Sequence, residues 1–153
     1  MEIVFKPIGI VHSPFAEKED IKKSRNIDPR GFETIQGELE IYAEFAEGLE
    51  DIDGFSHIIL IFAFHKSREK ELHAHPPFDD KRRGVFSTRS PHRPNPIGFS
   101  VLQLIRREEN VLQVQGVDMI EGTPILDIKP YTPRDQKSGA RFGWLEEWIA
   151  KKP

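Results

Sequence analysis

The chain contains no cysteine. That excludes disulfides, thiolate nucleophiles and zinc sites built on thiolates, and it fits the cytoplasm. No run of apolar residues is long enough to cross a bilayer as a helix, so no membrane partner is expected. The opening MEIVFKPIGIV lacks a basic stretch followed by an apolar one and does not read as a secretory signal. Internal repeats, low-complexity tracts and linkers between domains are also missing. There is no G-x-G-x-x-G after a strand and no P-loop, which sets a Rossmann-type nucleotide site aside. No G-x-S-x-G elbow frames a serine, and Pro91 after Ser90 removes the next backbone N–H from an oxyanion hole. A Ser–His hydrolase is therefore disfavoured. Positive charge is not in excess either: 22 Lys and Arg against 25 Asp and Glu give a net charge of −3. A protein living on bulk nucleic-acid binding usually has the opposite balance, and no DNA partner is expected.

What remains is a soluble composition, 37% hydrophobic and 31% charged over 153 residues. That is enough for one domain with a real core. Residues 37–45 (GELEIYAEF) alternate, with Leu39, Ile41, Ala43 and Phe45 on one face, as in a half-buried strand. AEGLEDIDGF reads as a short turn or helix ended by Gly54. Residues 57–64 (HIILIFAF) are continuously apolar and predict a central strand covered on both faces. GFSVLQLIRR and VLQVQGVDMI read as the two arms of a hairpin turning at Glu109-Asn110. Two strands between Ile3 and Val11 and one at IKPY complete the inventory. Only the C-terminal segment, about 140–151, reads as helical, with Trp144, Leu145, Trp148 and Ile149 on one face. Many short strands separated by 12 prolines and 11 glycines predict a mainly β fold, a small single-domain β-barrel with a few short helices.

One decapeptide stands out, RSPHRPNPIG, Arg89 to Gly98. Each of its three prolines fixes its own φ and pushes the preceding residue (Ser90, Arg93, Asn95) out of the helical region. The result is a stiff loop that holds polar side chains with little ordering entropy left to lose on binding. Basic residues gather around it: Lys81, Arg82, Arg83, Arg89, His92 and Arg93. In residues 38–50, by contrast, every charged residue is acidic. His65, His73 and His75 have the chemistry of zinc ligands but match no metal spacing with a geometric reason, so they read as polar loop residues and no metal is expected. Residues 117–131 carry Asp118, Glu121 and Asp127 around a turn, and His65-Lys66 closes the buried strand. Strand ends that open onto loops are where sites usually form.

TRSPHRPNPIGFSV, DGFSHIILIFAFHKS and EGTPILDIKPYTPR together resemble the TsaA-like (TrmO) family of S-adenosylmethionine-dependent tRNA methyltransferases. IGIVHSPF resembles the family's opening strand, and the resemblance runs from about Ile8 to Arg134. It implies a β-barrel methyltransferase without a Rossmann fold, a homodimer with S-adenosylmethionine near the subunit interface. Its acceptor would be the exocyclic nitrogen of threonylcarbamoyladenosine, next to the anticodon of tRNA. Carried onto this sequence, cofactor contacts would fall on Asp28, Pro29 and Arg30, on His65, Lys66 and Arg89, and on Asp118, Met119, Ile120 and Glu121. Asp118 or Asp127 would take the acceptor's proton, with Asn95 and Arg93 orienting the base. Lys81, Arg82 and Arg83, with His92 and Arg93, would contact the tRNA. Bacterial members carry an additional C-terminal domain, whereas this sequence stops after one amphipathic helix and is expected to be complete as a barrel. Two other readings stand beside this one. A small-molecule methyltransferase suits the acidic balance, and a non-enzymatic S-adenosylmethionine or nucleotide sensor needs the same pocket.

Overall fold

Six strands close on themselves, and the alternation along each decides which side chains they enclose. The computed structural model describes residues 1–27, 31–76 and 79–151. Its contacts divide the chain into two units, Met1–Lys66 with Ile97–Tyr131, and Ser67–Pro96 with Thr132–Pro153. The first unit is the barrel. Its strands are β1 (Gly9–His12), β2 (Gln36–Ile41), β3 (His57–Ala63), β6 (Ile97–Glu108), β7 (Val111–Gln115) and β8 (Pro124–Pro130). Around the barrel they run β1-β2-β7-β6-β3-β8, each neighbour antiparallel. Closure comes from the pairing of Gly9 with Ile125 and Ile10 with Pro124. Val11, Leu39, Leu60, Leu102, Leu112 and Ile125 point inward and are fully buried. Enclosing one such side chain stabilises the fold by about 1.5–3 kcal/mol.

Two irregularities adjust the faces. Between Ile61 and Phe62 the pairing of β3 with β8 shifts, so Phe62 lies opposite Ile125 and Ile61 opposite Asp127. The extra residue on β8 lets Ile125 and Ile128 both pack on the core while Asp127 points outward. A second shift on β6, between Leu104 and Arg106, sets Ile105 outside the ladder.

The barrel matches the expected fold class, and several elements differ from the sequence reading. The strand expected over 37–45 ends at Ile41, and Ala43–Leu49 winds into a 3₁₀ helix that buries Leu49. The Tyr42 N–H still bonds the Ile8 carbonyl as a last rung, and the Phe45 N–H then bonds the Tyr42 carbonyl, which turns the chain out of the ladder. Only one strand forms near the start, because Ile3, Val4 and Phe5 are exposed and outside the barrel. β3 is covered on one face only: Ile58, Leu60 and Phe62 are buried, while Ile59 and Ile61 are half-buried. Helix α1 (Lys18–Ile27) was not legible in the sequence, since its ten residues include only two apolar ones. Its first turn is held by the Glu17 N–H donating to Asp20 Oδ2 at 2.9 Å.

The second unit contains the two-stranded sheet β4 (His73–Ala74) and β5 (Arg83–Gly84), the proline-rich loop, and helix α2 (Leu145–Ala150). α2 begins later than 140 because the Phe142 N–H is taken by Glu146 Oε1 and the Leu145 N–H by the Phe142 carbonyl. No described helix is long and apolar enough to cross a membrane.

Gly98 ends the proline-rich motif and has a packing role. It lies opposite Phe62 across β3 and β6, and a side-chain carbon there would collide with the Phe62 ring. Phe62 is itself held edge-on against Phe64, with ring centroids 5.2 Å apart. Gly98→Ala is expected to lower folding stability by about 1–3 kcal/mol, the range for overpacking a filled core. Urea denaturation of the two proteins measures it, and equal midpoints would show that the ring has room to move.

Candidate functional site

The barrel interior is filled, so chemistry has to be carried by its turns and outer face. Between β7 and β8 the chain makes a turn whose residues alternate sharply. Val117 and Met119 are buried, whereas Asp118 and Glu121 are exposed. Gly116 opens this turn with φ 104, a conformation open to glycine, and its N–H donates to the Ile35 carbonyl at 2.7 Å. Asp118 is held by Ser100, whose Oγ donates to its Oδ1 at 2.8 Å from a nearly buried position on β6. Glu121 is held from the other side: the Ser13 N–H donates to Oε2 at 2.8 Å and His12 Nδ1 to Oε1 at 2.7 Å. The backbone completes the brace, with Glu121 N–H to the Phe15 carbonyl and Gly122 N–H to the Val11 carbonyl. The turn is thus fastened at its start to Ile35 and Ser100 and at its end to residues 11–15, the end of β1 and the loop that follows.

His12 lies on the outer face of β1 opposite Glu38, with Glu40 Oε1 3.4 Å from its Nε2. The hydrogen bond to Glu121 raises its pKa above the ordinary 6.5, and Glu40 adds to this against partial desolvation. Desolvation works against the Glu121 charge, but the Ser13 N–H and His12 outweigh it and hold its pKa below 4.5.

Of the other expected residues in the barrel unit, His65 and Lys66 follow β3 and are exposed. Local desolvation, reinforced by the Lys66 charge, lowers the His65 pKa below 6.5. Asp127 is engaged on the outer face of β8. Its Oδ2 meets Lys129 Nζ at 2.8 Å, and its Oδ1 accepts the Ile128 N–H. Met119 is 4% exposed with its side chain in the core, which leaves only its main chain for a ligand. Ile120 is half-buried, and its carbonyl accepts the Thr123 hydroxyl at 2.7 Å. Asp28, Pro29 and Arg30 lie outside the described residues.

The second unit holds the proline-rich loop, and the loop is wired to itself. Arg93 Nη1 donates to the carbonyls of Thr88 and Ser90 at 2.9 and 3.1 Å. The His92 ring is hydrogen-bonded to Ser67 Oγ at 2.7 Å, and the His92 N–H donates to Ser90 Oγ. Prolines alone suggested the stiffness; these polar bonds fix the shape, and no spacing rule announces them. Arg89 and Asn95 are exposed on this loop. Arg83 is engaged within its own unit, with Nε 2.7 Å from Asp79 Oδ2 and its guanidinium 4.9 Å from the centre of the Trp144 ring. Lys81 and Arg82 are exposed. A cleft of about 500 Å³ beside α2 is lined by Asp79, Arg83, Trp144, Glu147 and Trp148. The sequence reading did not anticipate it, because two tryptophans at helical spacing look like core. Among the described residues no group of three or more His, Asp or Glu is placed to hold a metal ion.

Residues 10–136 match the family described as the tRNA-methyltransferase O N-terminal domain. The chain belongs to the TrmO family. It is 47% identical over 150 residues to a "Probable S-adenosyl-L-methionine-binding protein" of Pyrococcus abyssi, covering 97% of this chain and 79% of that protein. It is 36% identical over 132 residues to the tRNA (adenine(37)-N6)-methyltransferase of Rattus norvegicus, covering 84% of this chain and 31% of that one. The crystal structure of TrmO from Pseudomonas aeruginosa superimposes with a TM-score of 0.73 at 37% identity, covering 94% of this chain and 63% of that one. The chain therefore spans less than two thirds of the solved TrmO chain and about a third of the rat enzyme. The likeness to TrmO covers both the braced turn and the proline-rich loop.

The His12–Glu121 contact has a defined pH window. Because the His12 pKa is raised on folding, its contribution is full below pH 6.5 and fades as pH rises through the folded value. The Glu121 pKa is lowered, so its contribution is present above pH 4.5 and fades on further acidification. Both side chains are more than a third exposed, which limits the pair to roughly 0.2–1 kcal/mol after screening. His12→Gln is expected to lose most stability between those two values and little at alkaline pH. Denaturation across a pH series reads the difference; a pH-independent gap would show that the ion pair is not its origin.

Proposed function

We propose that this chain transfers a methyl group from S-adenosylmethionine to the exocyclic nitrogen of threonylcarbamoyladenosine beside the anticodon of tRNA. The observation that carries this reading is the match of residues 10–136, which include the braced turn and the proline-rich loop, to the tRNA-methyltransferase O N-terminal domain. The donor chemistry of the barrel unit suits the cofactor. Asp118 and Glu121 offer carboxylates to an ammonium or to ribose hydroxyls, Lys66 offers a cation to a carboxylate, and the main chain of Met119 and Ile120 lies between. When bound, S-adenosylmethionine supplies a methyl group already activated on a sulfonium sulfur.

The protein's work is then placement and proton removal. Holding two reacting groups at attack distance contributes roughly 7–11 kcal/mol. A turn anchored by Ser100, Ser13 and His12 is suited to that, since it does not have to be ordered on binding. Asp118 is assigned the acceptor's proton, because its carboxylate stands exposed at the turn with Oδ1 oriented by the Ser100 hydroxyl, whereas Asp127 lies on the outer face of β8 beside Lys129. Arg93 acts through the loop: its bonds to Thr88 and Ser90 keep Arg89 and Asn95 displayed. Lys81 and Arg82, with His92, are assigned to the tRNA backbone. The reading includes a homodimer, which is supported by the outer face of β6, where Ile97, Phe99, Val101 and Ile105 are each more than 40% exposed.

Calorimetric titration with S-adenosylmethionine is expected to show saturable binding by the purified chain. At saturating cofactor, Asp118→Asn is expected to slow methyl transfer to modified tRNA by about 10²–10⁴, while Asp127→Asn stays close to the native rate. Transfer to tRNA should also fall steeply with added salt, as counterion release requires. Cofactor binding without transfer to any tRNA would favour the sensor reading, and a salt-insensitive rate would favour a small-molecule acceptor.

A further inference from the structure

The net charge of the chain hides a division. Ser67–Pro96 with Thr132–Pro153 holds twelve Lys and Arg against seven Asp and Glu, a net of +5. Met1–Lys66 with Ile97–Tyr131 holds ten against eighteen, a net of −8, and the two together give the −3 of the whole. The net negative charge belongs to the barrel unit alone. The other unit carries the positive excess that a polyanion requires.

That basic unit also displays aromatic rings in places where no core needs them. Phe86 is 78% exposed and Phe142 is 55% exposed. Phe86 sits in the 3₁₀ turn Val85–Ser87, whose buried residue is its neighbour Val85, 1% exposed. The two segments are tied together, because Trp144 Nε1 donates to the Ser87 carbonyl at 2.9 Å. Each is also anchored by its own backbone. The Val85 N–H bonds the Leu72 carbonyl, the Thr88 N–H bonds the Val85 carbonyl, and Phe142 is held by Leu145 and Glu146. These are rigid mounts for two exposed rings. Arg82 and Arg141 are exposed on the same two segments.

We propose that Phe86 and Phe142 are base-stacking residues of a single-stranded RNA surface on the basic unit, with Arg82 and Arg141 meeting the phosphates. The proposal rests on the reading of tRNA as acceptor and names the side chains that would hold its anticodon loop. An exposed apolar ring on a segment that also exposes an arginine suits an unpaired nucleotide, which presents a π-face and an anionic phosphate. An apolar protein surface would need the rings but not the positive excess. Loss of one stacking ring weakens single-strand binding by roughly 5- to 150-fold.

The test uses the full chain and a fluorescently labelled anticodon stem–loop RNA, titrated by anisotropy at several salt concentrations. Phe86→Ala and Phe142→Ala are each expected to raise Kd about tenfold without changing the salt slope, and Phe86→Trp to retain binding. Arg82→Ala and Arg141→Ala are each expected to reduce the salt slope by about 1. Calorimetry with S-adenosylmethionine, unchanged in the Phe variants, shows that they are folded. RNA binding by the native chain that is indifferent to both phenylalanines overturns this surface and leaves the tRNA acceptor standing. A native chain that binds no RNA overturns both. A change in sedimentation state with RNA affinity unaltered assigns the rings to a protein interface and overturns the proposal.

Discussion

A closed six-stranded barrel must fill its own interior, and the placement of the polar groups on the barrel unit follows from that constraint. With Val11, Leu39, Leu60, Leu102, Leu112 and Ile125 meeting at the centre, the barrel holds no ligand inside. Ligand-facing groups are left to the strand ends, the connecting turns and the outer surface. The braced turn of residues 117–123 illustrates the consequence. Val117 and Met119 satisfy the core, and that fixes Asp118 and Glu121 outward. The polar bonds from Ser100, Ser13 and His12 then hold those carboxylates in place. The buried side chains position the exposed ones.

The same constraint explains the irregularities. Ile125 and Ile128 cannot both face inward at strict two-residue alternation; the shift opposite Ile61 and Phe62 makes it possible and turns Asp127 out beside Lys129. Gly98 is required for the same reason, because the ring of Phe62 occupies the space a side chain there would need. A residue that reads in the sequence as part of a functional loop is therefore also part of the barrel's packing. In the other unit the prolines of residues 89–96 restrict φ, while Arg93 bonds the Thr88 and Ser90 carbonyls and His92 bonds Ser90 and Ser67. That unit's positive charge balances an acidic barrel, which is why the whole chain looks unremarkable in net charge.

Much of this was legible in the sequence where a side chain's neighbours along the chain decide its fate. The alternation in β2, the β6–β7 hairpin turning at Glu109-Asn110, and the stiffness of a segment with three prolines are local properties. Glu109, with φ 55, sits where that turn was expected. The motifs that carry the TrmO resemblance are contiguous strings, so they too could be read directly. Features that depend on partners distant in sequence were not legible. His12 and Glu121 are 109 residues apart and Ser100 and Asp118 are 18 apart, and nothing in either segment names its partner. Helix α1 was missed because a short polar helix lacks the apolar stripe that periodicity detects.

By itself, then, the sequence determined a cysteine-free, mainly β chain whose motifs place it beside a methyltransferase family, because strand alternation, proline geometry and contiguous motifs are encoded over a few residues. Only the tertiary structure decided which partner each carboxylate takes. Asp118 and Glu121 are braced at a turn, while Asp127 is tied to Lys129. Only the tertiary structure divided the charge into an acidic barrel and a basic unit, since Arg82 and Arg141 become members of one unit through folding. The reason is the same in both cases: hydrogen bonds and packing join residues by distance in space, which position along the chain does not specify.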